Sequence, residues 1–214
     1  MWVAHRVDVL RTLVQAYLTG AETYAGAPYD TSLEVYIDPD RFSPYQQGSG
    51  IYLPEARVLN AVADRPDSRQ DLGIVHELTH VLAASAFRAN RDRFYDDGLA
   101  VFLQHRFGDQ PNYPNFGEDL YFATARAMRA HGDLIPLAEA EQVRGSRQDR
   151  TARRLAYLQE GAFTQYLIER FGLNAYFRIY QGEAVEEVTG VSFARIEDDW
   201  QVLIEAAEGA LVDD

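Results

Sequence analysis

His76 and His80, separated by Glu77, Leu78 and Thr79, are the residues of this sequence best suited to chemistry. They lie in the string Leu72-Gly73-Ile74-Val75-His76-Glu77-Leu78-Thr79-His80-Val81-Leu82, which contains the pattern HExxH. On a helix, positions i and i+4 stand one turn apart on the same face, so both imidazoles can offer a nitrogen to one metal ion at about 2.0 to 2.1 Å. Glu77 is offset from both and falls beside the fourth coordination position. Zinc lowers the pKa of a bound water to about 7, and a carboxylate beside that water can take its proton during attack and hand it to the leaving amine. The apolar flanks Ile74, Val75, Leu78, Val81 and Leu82 predict a buried helix, in which two imidazoles are either satisfied core residues or ligands.

A zinc site needs a third protein ligand. Metzincins supply a Gly and then a His three and six positions on, where this chain has Ala83 and Ala86, so that class is excluded. The next helix offers Tyr95-Asp96-Asp97-Gly98-Leu99-Ala100-Val101-Phe102. The pair HELTHVL and DGLAVF resembles the HExxH and EGLAxY signatures of the gluzincin metallopeptidases, in particular the compact peptidase MA-like family. The resemblance extends to the Leu33 to Ile37 segment, to Gly132-Asp133-Leu134-Ile135-Pro136-Leu137, to Tyr157 through Gly172, and to Val191-Ser192 with Trp200. It implies that Asp97, seventeen residues after His80, stands where the family has its third zinc ligand, a Glu. Asp is one methylene shorter, so its helix must come closer to the metal or bind through a bridging water. Asp96 competes for the role: helix neighbours point about 100° apart, so one of the two faces the metal, while either suits a helix N-terminus as a cap. The carboxylate that some gluzincins place one turn after the third ligand is Val101 here.

Peptide hydrolysis develops an oxyanion, which related enzymes stabilise with a Tyr or His donor. Tyr157 is the candidate. It lies off the apolar stripe of Leu155, Leu158, Phe163, Tyr166 and Leu167, on a face shared with the small Gly161 and Thr164. The alternatives are a Tyr packed at the surface and His131, which precedes Gly132 and suits a helix C-terminus. His5 and His105 lack ligand spacing and are expected at the surface. For substrate, the strand segment Gly50-Ile51-Tyr52-Leu53 is expected to pair with an extended peptide. Arg144, Arg147, Arg150, Arg153 and Arg154 form a basic patch that either meets a substrate carboxylate or is a solvated loop leading into a helix.

Composition narrows the chemistry further. There is no cysteine, hence no disulfide, thiolate metal site or cysteine nucleophile, and any metal must use His, Asp and Glu. All twenty basic residues are Arg, which removes Schiff-base chemistry and a P-loop lysine. A net charge of −13 argues against nucleic acid as a partner. No run approaches eighteen apolar residues, so no membrane segment is expected. Residues 1 to 8 lack the charged-then-apolar layout of a signal peptide, which leaves a cytosolic protein or a mature form numbered afresh. The resemblance implies an extracytoplasmic bacterial protein.

The elements that must position these residues follow from periodicity. Val3, Val7, Leu10, Leu13, Val14 and Leu18 predict an amphipathic helix. Leu33, Val35 and Ile37 alternate with polar residues as a half-buried strand does, and Ile51 to Leu53 and Val58 to Val62 read as two more. Helices are predicted at about 67–88, 96–107, 117–131, 150–171, 174–181 and 192–207, the last with Phe193, Ile196, Trp200, Leu203 and Ile204 on one face behind a Ser192 cap. The expectation is one α+β domain over residues 1–214. Residues 1–90 form its sheet and active-helix part and 91–214 its helical part, in a zincin-like arrangement with a small sheet over the HExxH helix. The expected function is zinc-dependent hydrolysis of peptide bonds, with His76, His80 and Asp97 on Zn2+, Glu77 as base and acid and Tyr157 on the oxyanion, acting on a peptide or protein substrate. The alternative is a zincin-like domain, weakly active or inactive, that binds peptide or protein. The sequence leaves oligomeric state open.

Overall fold

The computed structural model describes the backbone at residues 34–38, 50–53 and 58–62, then residues 76, 77, 79, 80 and 83, and the spans 92–107, 119–146 and 148–212. The amphipathic helix expected over residues 3–18, His5 and Arg147 lie outside the described residues.

Three short strands, β1 (Glu34–Asp38), β2 (Gly50–Leu53) and β3 (Val58–Val62), form one sheet in the order β1-β3-β2. β1 runs parallel to β3, with Glu34 opposite Val58, and β2 runs antiparallel, with Gly50 opposite Ala61. The helices are α1 (Arg93–Phe107), α2 (Leu120–His131), α3 (Leu137–Gly145), α4 (Arg150–Phe171), α5 (Leu173–Tyr180), α6 (Val185–Thr189) and α7 (Phe193–Ala210).

This corrects the expected fold class. The described residues are mostly helical, and an α+β, zincin-like layout with a small sheet over the active helix is not what they form. The physical reason is where the core lies: strands of four or five residues offer little surface to cover anything, whereas α4 alone runs 22 residues. Among the described side chains, the largest fully buried ones are Trp200, Tyr176, Tyr180, Phe163, Leu103, Leu120, Leu155 and Leu158, all on helices.

By its internal contacts the chain divides into two compact units, residues 1–89 with 103–117, and residues 90–102 with 118–214. In the second unit α4 is the central element, with α2, α3 and α5 packed on it and α7 packed on α2. Its apolar stripe is buried as expected: Leu155, Leu158, Phe163 and Leu167 are sealed, and the Phe163 ring meets Phe94 and Trp200 nearly edge-on at 5.8 and 6.0 Å. Burying each such side chain stabilises by about 1.5 to 3 kcal/mol. The first half of α1 reaches α4 through two glycines. A Cβ on Gly98 would lie 2.6 Å from the Thr164 hydroxyl and 2.8 Å from the Glu160 carbonyl, and one on Gly161 would lie 2.5 Å from Val101 Cγ1. Only glycine permits that approach.

Local chemistry sets the helix ends. Asp149 accepts from the Thr151 and Ala152 N–H groups at the start of α4, Asp119 from Tyr121 at the start of α2, and Ser192 from Arg195 at the start of α7. Gly132 and Gly172, at φ of 115° and 84°, close α2 and α4. In α7, Ile196, Trp200 and Ile204 are buried, but Leu203, expected on the same face, is 38% exposed. The seam follows residues 196, 200, 204 and 207, and Leu203 sits one residue, about 100°, off it.

Candidate metal centre

The backbone is helical at His76, Glu77, Thr79, His80 and Ala83. Thr79 and Ala83 are buried at 1% exposure each, while His76, Glu77 and His80 are half-buried. Position 79 therefore faces inward and the two imidazoles keep an outward side. Their rings stand edge to face with centroids 5.0 Å apart, as i and i+4 on one face require.

α1 begins at Arg93, and the residue that caps it is Asp92, whose Oδ1 accepts from the Phe94 N–H at 2.9 Å. Capping is thus not the role of Asp96 or Asp97, both of which lie further along the helix. Neighbours on a helix point about 100° apart, and these two take different partners. Asp96 accepts from the Tyr180 hydroxyl at 2.8 Å. Asp97 places Oδ2 2.7 Å from the Arg144 guanidinium. Two imidazoles and a carboxylate are a donor set that zinc takes.

Of the two residues beside Asp97, Glu160 has no role assigned from the sequence and Arg144 is read there only as part of a basic patch. Arg144, on α3, places Nη1 2.7 Å from Asp97 Oδ2 and Nε 2.9 Å from the carboxylate of Glu160, on α4. Its Nη2 donates to the Arg93 carbonyl at 3.4 Å. The Glu160 side chain has no exposure at all. Burial pushes its carboxyl up to about 9, with Arg144 opposing the shift and Asp97 adding to it. Burial by itself would lower the Arg144 pKa, yet Asp97 and Glu160 hold the guanidinium above its ordinary range. The signal available in the sequence was an acid inside the apolar run Leu158-Gln159-Glu160-Gly161-Ala162-Phe163, since a buried acid requires a partner.

Tyr157 is half-buried near the start of α4, and two guanidiniums lie over its ring, Arg144 at 5.4 Å and Arg153 at 5.7 Å from the centroid. It shares with Asp97 the contact to Arg144. The basic patch separates accordingly: Arg144 is buried and ion-paired, which corrects its place in a solvated loop, while Arg150 and Arg154 are exposed. His131 is exposed at the end of α2 and bonded through Nδ1 to the Asp133 carbonyl at 2.8 Å. His105 is buried at 3% exposure, which corrects its expected surface position: it lies on the α1 face that also buries Val101 and Phe102. Gly50 to Leu53 is an edge strand, since β2 pairs with β3 alone among the described strands.

Compared with protein-family models, curated proteins and solved structures, the chain finds no match. Among the described residues no helix is long and apolar enough to cross a membrane.

Proposed function

We propose that this chain is a zinc-dependent metallopeptidase of gluzincin type, with His76, His80 and Asp97 as ligands. The observation that carries the reading is the pair of half-buried imidazoles, His76 and His80, on one helix face with ring centroids 5.0 Å apart and Glu77 beside them, to which the third-ligand signature at Asp97-Gly98-Leu99-Ala100 adds a carboxylate seventeen residues later. Bound there, zinc supplies Lewis acidity toward a peptide carbonyl and brings the ionisation of water near neutral pH. The chain's own residues supply the rest. Glu77 adjoins His76 on a half-exposed part of the helix, where its carboxylate can take the proton of the attacking water and return it to the leaving amine nitrogen as the C–N bond breaks. Tyr157 supplies the hydroxyl that donates to the developing oxyanion, its ring held by cation–π contacts with Arg144 and Arg153.

The test is zinc content and hydrolysis of a mixed peptide library by the wild type and by Glu77→Gln. One zinc per chain in both, with turnover lowered at least about 100-fold in the variant, is the expected result. Unchanged turnover in Glu77→Gln removes the assigned base. Stoichiometric zinc with no cleavage of any peptide by the wild type replaces the peptidase with a peptide- or protein-binding domain.

A further inference from the structure

The geometry points to Arg144 as the residue that positions Asp97 for a metal, an inference that rests on reading His76, His80 and Asp97 as ligands. Arg144 has only 8% of its side chain exposed, and burying a guanidinium is costly unless its donors are matched. They are matched on three sides: Asp97 at 2.7 Å, Glu160 at 2.9 Å and the Arg93 carbonyl at 3.4 Å. The ring of Tyr157 covers its face at 5.4 Å. Such a guanidinium has no rotational freedom left, so whatever it holds is held in a fixed orientation.

The two carboxylates it bridges are not equivalent. Glu160 is sealed in the core, whereas Asp97 is the one read as a ligand. Glu160 therefore anchors Arg144 from the inside, and Arg144 presents Asp97 on the other. With Oδ2 kept by Arg144, Asp97 offers a metal a single oxygen in a set direction. This is how a side chain one methylene shorter than Glu is made into an oriented ligand, and partners of this kind are worth about 10- to 100-fold in metal affinity.

The experiment is zinc affinity, by competition with a chromophoric chelator, on the full chain, together with the visible spectrum of the cobalt-loaded protein and the unfolding midpoint of each metal-free variant. Asp97→Ala should lose tight binding. Arg144→Lys keeps the charge but cannot bridge both carboxylates. It should bind zinc about 10- to 100-fold more weakly and, at saturating cobalt, show altered d–d bands because Asp97 has lost its set direction. The double variant Arg144→Met with Glu160→Leu replaces the buried pair by apolar side chains, an exchange that folded proteins tolerate, and should show the same loss even if Arg144→Lys does not fold. Wild-type affinity and an unchanged cobalt spectrum in a folded Arg144 variant, with binding lost in Asp97→Ala, overturn the positioning role alone. No zinc binding by the wild type, or none lost in Asp97→Ala, overturns the ligand reading and this inference with it.

Discussion

Asp96 and Asp97 are chemically identical neighbours that the tertiary structure sends to different tasks. Asp96 receives the hydroxyl of Tyr180, a side chain with no exposure, and that hydroxyl is held well above its usual pKa, first by burial and then by Asp96. Tyr180→Phe should cost about 1 kcal/mol in chemical denaturation, since it removes one charge-assisted hydrogen bond and keeps the ring, while leaving zinc affinity unchanged. A loss of zinc in that variant would transfer the ligand role toward Asp96. Glu160 makes a second prediction. Its folded pKa of about 9 lies above the ordinary 4.5, so between those values the native chain keeps a proton that the unfolded chain has released. Its contribution is therefore greatest below about pH 4.5 and declines as pH rises toward about 9. Glu160→Gln should flatten that decline in metal-free protein, read as the denaturation midpoint at pH values on either side of neutrality, and an identical slope in the variant would show that Glu160 is ionised in the folded chain.

At the scale of elements, the approach of α1 to α4 depends on side chains that are absent. Alanine gains up to about 1 kcal/mol over glycine in helix propensity, but contacts of 2.5 to 2.8 Å force the helices apart, which costs about 1 to 3 kcal/mol. Packing should win, so Gly98→Ala and Gly161→Ala are expected to destabilise. Val101→Ala should recover part of the loss in Gly161→Ala, whose clash is with that side chain, but Gly98→Ala has no such remedy because the Glu160 backbone carbonyl stands in its way. Equal stability of Gly161→Ala and the wild type would place the helices further apart than described. The α4 cap is separable by pH. The Ala152 and Thr151 N–H groups hold the Asp149 carboxyl below its ordinary value. Its stabilisation is present above the unfolded pKa and is lost as pH falls through the folded one. Asp149→Asn keeps the cap and should remove that acid-limb dependence from the midpoint-versus-pH curve.

At the scale of the molecule, 33 acids against 20 arginines leave a self-repelling chain. Residues 183–214 carry ten acids against Arg195 alone. Raising the ionic strength from about 0.01 to about 0.15 M shortens the screening length from about 30 to about 8 Å. The melting temperature should rise, because dispersed repulsion is screened more than buried pairs such as Arg144 with Glu160. A fall would mean that surface pairs such as Arg195 with Asp199 outweigh the repulsion. The buried centre is tested by Trp200→Ala, which empties the space beside Phe163 and should cost about 3 to 5 kcal/mol.

What the sequence determined by itself was local. Period and caps placed α2, α4, α5 and α7 within a few residues, and HExxH spacing put two imidazoles on one face, because turn geometry depends on near neighbours alone. The elements it missed lean on tertiary partners or are too short to show a period. The first N–H of α3 is accepted by Glu197 of α7, sixty residues away, and α6 is five residues long. The start of α1 at Arg93, which frees Asp96 and Asp97 from capping, rests on Asp92, a local signal passed over in favour of two adjacent acids. Only the tertiary structure decided that the described residues are mostly helical and that Arg144 and Glu160 stand behind Asp97. Residues 97, 144 and 160 are too far apart in sequence for any periodicity to couple them, and their meeting is set by the packing of α1, α3 and α4.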